Sequence, residues 1–174
     1  MKLTFRELRV EDAEISWKWR NDPEIWKLTQ RKWDNYVTKE TEEEWIKKIL
    51  QEKDSRRFAI CVGEDQKYIG NIQLTDINED SAHCGIFIGD KEYWGKGIAK
   101  TATQFALDYA KVNLHVKKVI AVVKKKHRNA LAVLEKLGFE FLEDDNAENY
   151  RMTYSIQPNR SIKGSSHERL FHGP

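Results

Sequence analysis

Seven residues, Tyr93-Trp94-Gly95-Lys96-Gly97-Ile98-Ala99, have the types and order to hold an anion. Glycines let a backbone pass close to a ligand. The stretch that follows places Ile98, Ala102, Phe105, Ala106 and Tyr109 at the spacing of one helical face. A helix starting there presents amides with no internal partner, and its dipole favours negative charge. A phosphate or pyrophosphate is the ligand that such a junction fits. The P-loop pattern fails, because five residues separate Gly89 from Gly95 and Gly97 follows Lys96. The dinucleotide fingerprint fails too, because Lys100 stands where its third glycine would be. A plain tight turn has the same local look, so the loop alone does not decide.

The elements around the loop follow from patterning. Leu3 and Phe5 alternate within a strand over residues 2–8. A helix over residues 12–20 stops at Asn21-Asp22-Pro23, because proline disfavours helix in the residue before it. A second helix is expected from about Thr41, with Glu44 completing a capping box and Trp45, Ile46, Ile49 and Leu50 as its apolar side. Residues 58–62, 68–75 and 82–88 form a meander of strands with a turn at residues 63–66. The helix after the glycine loop runs over residues 97–113, followed by a strand at 118–123. A helix over residues 129–137 ends at Gly138, and strands at 139–142 and 150–156 close the domain. Antiparallel hairpins with one strand–helix–strand crossover give an α+β class: a single domain over residues 1–157 with a mixed central β-sheet flanked by α-helices. The polar, Gly- and Ser-bearing tail, residues 158–174, is read as a mobile end or docking arm.

In this setting the glycine loop resembles the acetyl-CoA pyrophosphate loop of the GNAT superfamily of N-acetyltransferases, Gln/Arg-x-x-Gly-x-Gly/Ala. Trp94 takes the Gln/Arg position, and Gly97 and Ala99 the small ones. An aromatic residue before Gly-Lys-Gly looks like the RimJ/RimL-type and polyamine acetyltransferase branches. The stretch Ala130–Phe139, ALAVLEKLGF, resembles the last helix of the superfamily, and the likeness covers roughly residues 2–157. The resemblance implies transfer of acetyl from acetyl-CoA to a primary amine by direct attack in a ternary complex, with no metal. It implies that Ile86, Phe87 and Ile88 pair with the pantetheine arm and that a backbone amide there polarises the thioester carbonyl. Trp94, Gly95, Lys96, Gly97, Ile98 and Ala99 would hold the pyrophosphate. His127 stands where many members carry a pantetheine-touching Asn, and it and Asn129 are assigned to the cofactor. The basic run Lys124, Lys125, Lys126 and Arg128 is either a partner for CoA phosphates or a solvated patch. Two departures concern the acid that protonates the leaving thiolate: Leu134 replaces the usual Tyr, and Ala130 replaces a Ser used in RimL-related branches.

Attack on a thioester needs an uncharged amine, so a base must take a proton. His83, on the strand before the loop, is the preferred candidate, since an imidazole suits neutral pH. A histidine satisfied by neighbouring strands is the alternative. Asp76, Glu79 and Glu24 are runners-up. Cys84 beside His83 suggests a nucleophile pair, but strand alternation puts the two side chains on opposite faces. The acceptor is expected near the first two helices, where five of six tryptophans fall. Glu24, Trp26, Trp33 and Tyr36 are the substrate-binding candidates, by cation–π contact or stacking, with Asp22 and Asp34 able to meet an ammonium. The stretch WRNDPEIW resembles the same segment in RimJ/RimL-type and nucleotide-amino-sugar acetyltransferases.

Composition narrows the classes. The 174 residues fit one domain, and 33% charged with 40% apolar residues exclude a membrane-spanning or disordered chain. Thirty basic against 28 acidic residues leave a net charge of +2, too balanced for nucleic acid. The N-terminus reaches acidic residues too early for a signal peptide, and Cys61 and Cys84 read as reduced core thiols, so the expected location is the cytoplasm. The expected partner is a small amine (amino sugar, polyamine or aminoglycoside) or a protein N-terminus, with room for a homodimer. The rival from another class is a non-catalytic acyl-CoA-binding or regulatory module, suggested by the missing Tyr.

Overall fold

The computed structural model describes residues 1–27, 29 and 35–157. The expectations for Trp33, Asp34 and the tail at 158–174 lie outside the described residues. The chain runs β1 (Leu3–Glu7), α1 (Ala13–Arg20), α2 (Pro23–Trp26), α3 (Lys39–Ile49), β2 (Arg56–Val62), β3 (Lys67–Thr75), β4 (Ser81–Ile88), α4 (Ile98–Tyr109), β5 (Lys118–Lys124), α5 (Arg128–Leu137), β6 (Glu140–Asp144) and β7 (Asn149–Ser155). The strands form one seven-stranded mixed sheet in the order β1-β2-β3-β4-β5-β7-β6. The fold class is α+β, as expected.

Each face of the sheet has its own core. On one, Phe58, Ile60, Ile72, Leu74, Val119, Ala121 and Met152 pack under Ile98, Ala102 and Ala106 of α4 and Leu131 and Leu134 of α5. On the other, Ala59, Cys61 and Tyr68 pack under Ala13 and Trp19 of α1, Ile25 and Trp26 of α2, and Ile46 and Ile49 of α3. Burial on both sides explains why β2 reads as an unbroken apolar run rather than an alternation.

Two local expectations need correction. The second helix starts at Lys39, because the Thr38 hydroxyl accepts from the Thr41 amide and caps it there; Thr41 is inside the helix. Leu50 lies just past the helix and is 43% exposed. The first helix does end at Arg20, ahead of Asn21-Asp22-Pro23, as expected, and Pro23 itself opens a new short helix. It sits at the first turn of α2, where its missing N–H costs nothing, and the Asp22 side chain accepts from the Glu24 amide. Gly89 is fixed by packing, since a Cβ there would stand 2.0 Å from the Trp19 ring.

Candidate active site

The parallel pairing of β4 with β5 covers three rungs, Ser81↔Lys118, Ala82↔Val119 and His83↔Ile120. Beyond them β4 continues to Ile88 and β5 to Lys124, so the middle of the sheet opens into a gap. Residues 83–88 are therefore only half-buried, although β4 is the central strand. The Asp80 carbonyl accepts from Lys117 and Lys118 on the β5 side, whereas the Gly89 amide donates to Ile69 on the β3 side. Backbone groups alternate along a strand, so Cys84, Ile86 and Ile88 turn their N–H and C=O groups to the β5 side; the Cys84 amide completes the last rung, and the Cys84 carbonyl and the groups of Ile86 and Ile88 face the gap. Phe87 turns its own towards β3, opposite Asn71, and contributes to the other face of the sheet through its ring. His83 occupies the last closed rung, at the apex of the gap.

The glycine loop lies at the open end. Gly95 and Gly97 have φ of +72° and +75°, and a Cβ at either would meet nothing within 4 Å. Glycine is needed there for conformation, and the space beyond is free for a ligand. Gly97 is the N-cap of α4, which has no capping side chain and no acidic residue in its first turn. An uncapped helix start facing open space fits a pyrophosphate. Lys96 places its ammonium 5.0 Å from the Tyr93 ring centre, with Lys67 at 5.0 Å from the same ring. Ile98 is buried and anchors α4 in the core, while Ala99 is half-buried. The Trp94 indole N–H donates to the Ile88 carbonyl at 2.9 Å.

Sequence-picked residues beyond β5 have mixed surroundings. Nδ1 of His127 accepts from the Ala130 amide at 3.4 Å, so His127 is the N-cap of α5, and burial holds its imidazole below the usual range. Asn129 is exposed on the same turn. Lys124 bonds the Lys27 carbonyl at 3.1 Å and thus joins β5 to the segment after α2 across the gap. Lys125 pairs with Asp144 at 2.6 Å, and Lys126 and Arg128 are exposed. Leu134, in the position of the usual acid, is 8% exposed and belongs to the core under α5.

His83, Gly85 and Phe87 share the face that carries α1, α2 and α3, as the rungs Thr75↔His83, Gln73↔Gly85 and Asn71↔Phe87 show. Phe87 packs against Trp19 and Trp26, with ring centres at 6.0 and 5.4 Å. Trp26 is 9% exposed, its N–H is taken by the Trp19 carbonyl and Arg20 lies 5.3 Å over its ring. It walls the site from the core and offers no open ring to an acceptor, which corrects the sequence expectation. Glu24 is also engaged: Lys91 reaches it at 2.5 Å and Asp22 at 2.7 Å. The Lys91 hydrogen bond holds the Asp22 carboxyl below the usual range. Tyr36 is 66% exposed, edge-on to Trp17.

Asp76 has φ of +51° and lies exposed at the end of β3. It borders a polar cavity of about 300 Å³ lined also by Glu52, Asp54, Ser55, Arg57, Gln73 and Thr75. Thr75 is the strand partner of His83, so this cavity opens one rung from the imidazole. Sequence reading overlooked Gln73 and Thr75. Their signal was the alternation of Asn71, Gln73 and Thr75 with apolar Ile72 and Leu74 in a central strand. Cys84 points the other way, towards the core under α4, and desolvation pushes its thiol up to about 12. Among the described residues, no group of three or more His, Cys, Asp or Glu side chains is placed to hold a metal ion.

The arrangement brings a half-buried imidazole, free backbone amides and an anion cradle to one gap. Comparison with known proteins points the same way. The acetyltransferase (GNAT) domain family matches residues 2–140. The N-acetyltransferase p20 of Bacillus licheniformis is 27% identical over 80% of this chain and 79% of its own. Acetyltransferase PseH of Campylobacter jejuni is 28% identical over 81% and 85%. The crystal structure of spermidine N-acetyltransferase from Vibrio cholerae in complex with CoA and spermine superposes with a TM-score of 0.78 at 26% identity, covering 90% of this chain and 96% of that one.

Proposed function

The chain belongs to the acetyltransferase (GNAT) domain family and is an acetyl-CoA-dependent N-acetyltransferase, and we propose that it acetylates a small primary amine bound on the α1–α3 face beside His83. The observation that carries this reading is the gap between β4 and β5, with His83 at its apex and a polar cavity one rung away. The likeness to a spermidine acetyltransferase supports a polyamine, and Asp54 and Asp76 on the cavity rim suit a second ammonium. Amino sugars, aminoglycosides and protein N-termini are the other acceptors to be tested. The aromatic residue before Gly-Lys-Gly supports a RimJ/RimL-like branch. We assign the catalytic unit to residues 1–157 and place it in the cytoplasm, where its free cysteines stay reduced.

In this reading His83 takes the proton of the acceptor ammonium, directly or through one water. Asp76 stands by as second carboxylate at the cavity. The amine nitrogen attacks the thioester carbonyl, and a gap-facing amide of β4 receives the developing oxyanion. The tetrahedral intermediate collapses with loss of the thiolate, which takes its proton from water or from the substrate ammonium, since Leu134 has none to give. Gly95, Gly97 and the first turn of α4 hold the pyrophosphate, with Lys96 beside it, and Ile86 and Ile88 offer backbone groups to the pantetheine arm.

Thiol release from acetyl-CoA over a panel of polyamines, amino sugars, aminoglycosides and short peptides tests the proposal. Amine-dependent release with a small amine is expected. Tight CoA binding without turnover on any acceptor would favour a non-catalytic acyl-CoA-binding module, and turnover on peptides alone would move the acceptor to protein N-termini.

A further inference from the structure

The GNAT loop pattern gives Gln or Arg to the position that Trp94 holds here. An indole cannot neutralise phosphate as Arg can, so its contribution has to lie elsewhere. The Trp94 ring is 41% exposed, and core burial therefore does not fix it. What fixes it is the hydrogen bond to Ile88, six residues back, at 2.9 Å. Ile88 is the last residue of β4, and its carbonyl faces the gap. The gap-facing groups left over are the carbonyl of Cys84, the amide and carbonyl of Ile86 and the amide of Ile88. This row spans four residue steps, about 13 Å at roughly 3.3 Å per residue. The rung His83↔Ile120 closes one end of it, and the indole closes the other.

We propose that Trp94 is a positioning residue that fixes the register of the cofactor arm. Its N–H holds the outermost carbonyl of the open β4 edge and ties the pyrophosphate loop to the strand that receives the pantetheine amides. With Ile88 taken, the arm pairs from the next rung inward and its thioester is delivered beside His83. Without the indole bond, an amide of the arm can pair one rung farther out, a slip of two residues or roughly 7 Å. The proposal rests on the acetyl-CoA reading of the loop.

The test compares two ligands on Trp94→Phe, which keeps a ring and removes the donor. CoA has the arm, and 3′-phosphoadenosine 5′-diphosphate keeps the pyrophosphate and lacks the arm. Calorimetric Kd for CoA is expected to rise about fivefold, as loss of one net hydrogen bond of about 1 kcal/mol gives. Kd for the 5′-diphosphate is expected to stay within about twofold. Trp94→Gln keeps an N–H donor and is expected to bind CoA within about twofold of wild type. Unchanged CoA affinity in the Phe variant, an equal loss for both ligands, or a Gln variant as weak as Phe would each overturn the proposal. A wild-type protein that binds no CoA would instead overturn the acetyl-CoA reading, and the role of Trp94 with it.

Discussion

At His83, backbone and side chain serve two different partners. The backbone groups hold the ladder with β3 opposite Thr75, at the last position where β4 is paired with β5, and the side chain lies on the face that carries α1–α3. Removing the side chain therefore leaves the ladder intact, which makes His83→Ala a clean variant. We expect kcat/KM for the amine to fall by about 10²-fold or more, the usual contribution of a general base, with CoA affinity unchanged. A folded variant that keeps more than half of the rate would remove His83 as the base and turn attention to Asp76. Single residues were legible in the sequence where their chemistry is local. Gly95 and Gly97 announced their positive φ, and the alternation His83–Cys84 announced opposite faces. They were illegible where a distant partner decides. Glu24 looked free for a ligand until Lys91, far along the chain, was seen to hold it. Trp26 looked like an exposed loop aromatic because nothing local shows that Phe87 and Trp19 enclose it.

Among the elements, α5 shows how a helix end can carry a pH dependence. His127 caps it through Nδ1, which can accept the Ala130 amide only while that nitrogen carries no proton. Burial holds the folded imidazole below its ordinary value of about 6.5. Between that folded value and about 6.5, the unfolded chain binds the proton and the folded chain does not. Stability is thus complete above about pH 6.5 and is lost as the pH falls through the folded value. Asparagine is a good N-cap and has no proton to gain in this range. His127→Asn is expected to shrink the drop in Tm between pH 7 and pH 5, measured against wild type so that the other histidines cancel. An unchanged drop would show that the cap does not carry it. Element types and order were readable except for α2, whose single turn is too short to show a period, because periodicity and turn residues are local signals. The cap of α3 at Thr38 was misplaced because Thr41 and Glu44 copy the capping pattern three residues later. The gap came only through the family resemblance, which left the backbone of residues 86–88 to the pantetheine arm, since nothing in the residues of β4 or β5 says that their pairing stops after three rungs.

For the molecule as a whole, that stop decides the order of chemistry. The sheet separates two faces with independent cores, and the anion cradle at α4 lies with one while His83 and the polar cavity lie with the other. Where β4 and β5 part, the faces communicate, so a donor laid along the β4 edge and an acceptor on the α1–α3 face meet without either leaving first. This geometry calls for both substrates to be bound together. A covalent route would need a nucleophile at the apex, and the nearest one is Cys84. Its side chain packs towards the α4 core, and desolvation keeps the thiol protonated up to about pH 12. A thiol in that state forms almost no thiolate at neutral pH and cannot carry the acetyl group. Initial rates with acetyl-CoA and amine varied together should give intersecting double-reciprocal lines, and Cys84→Ala should keep at least about half of kcat. Parallel lines together with an inactive but folded Cys84→Ala would mean that an acetyl-thiol intermediate forms, and that the two faces are used in turn.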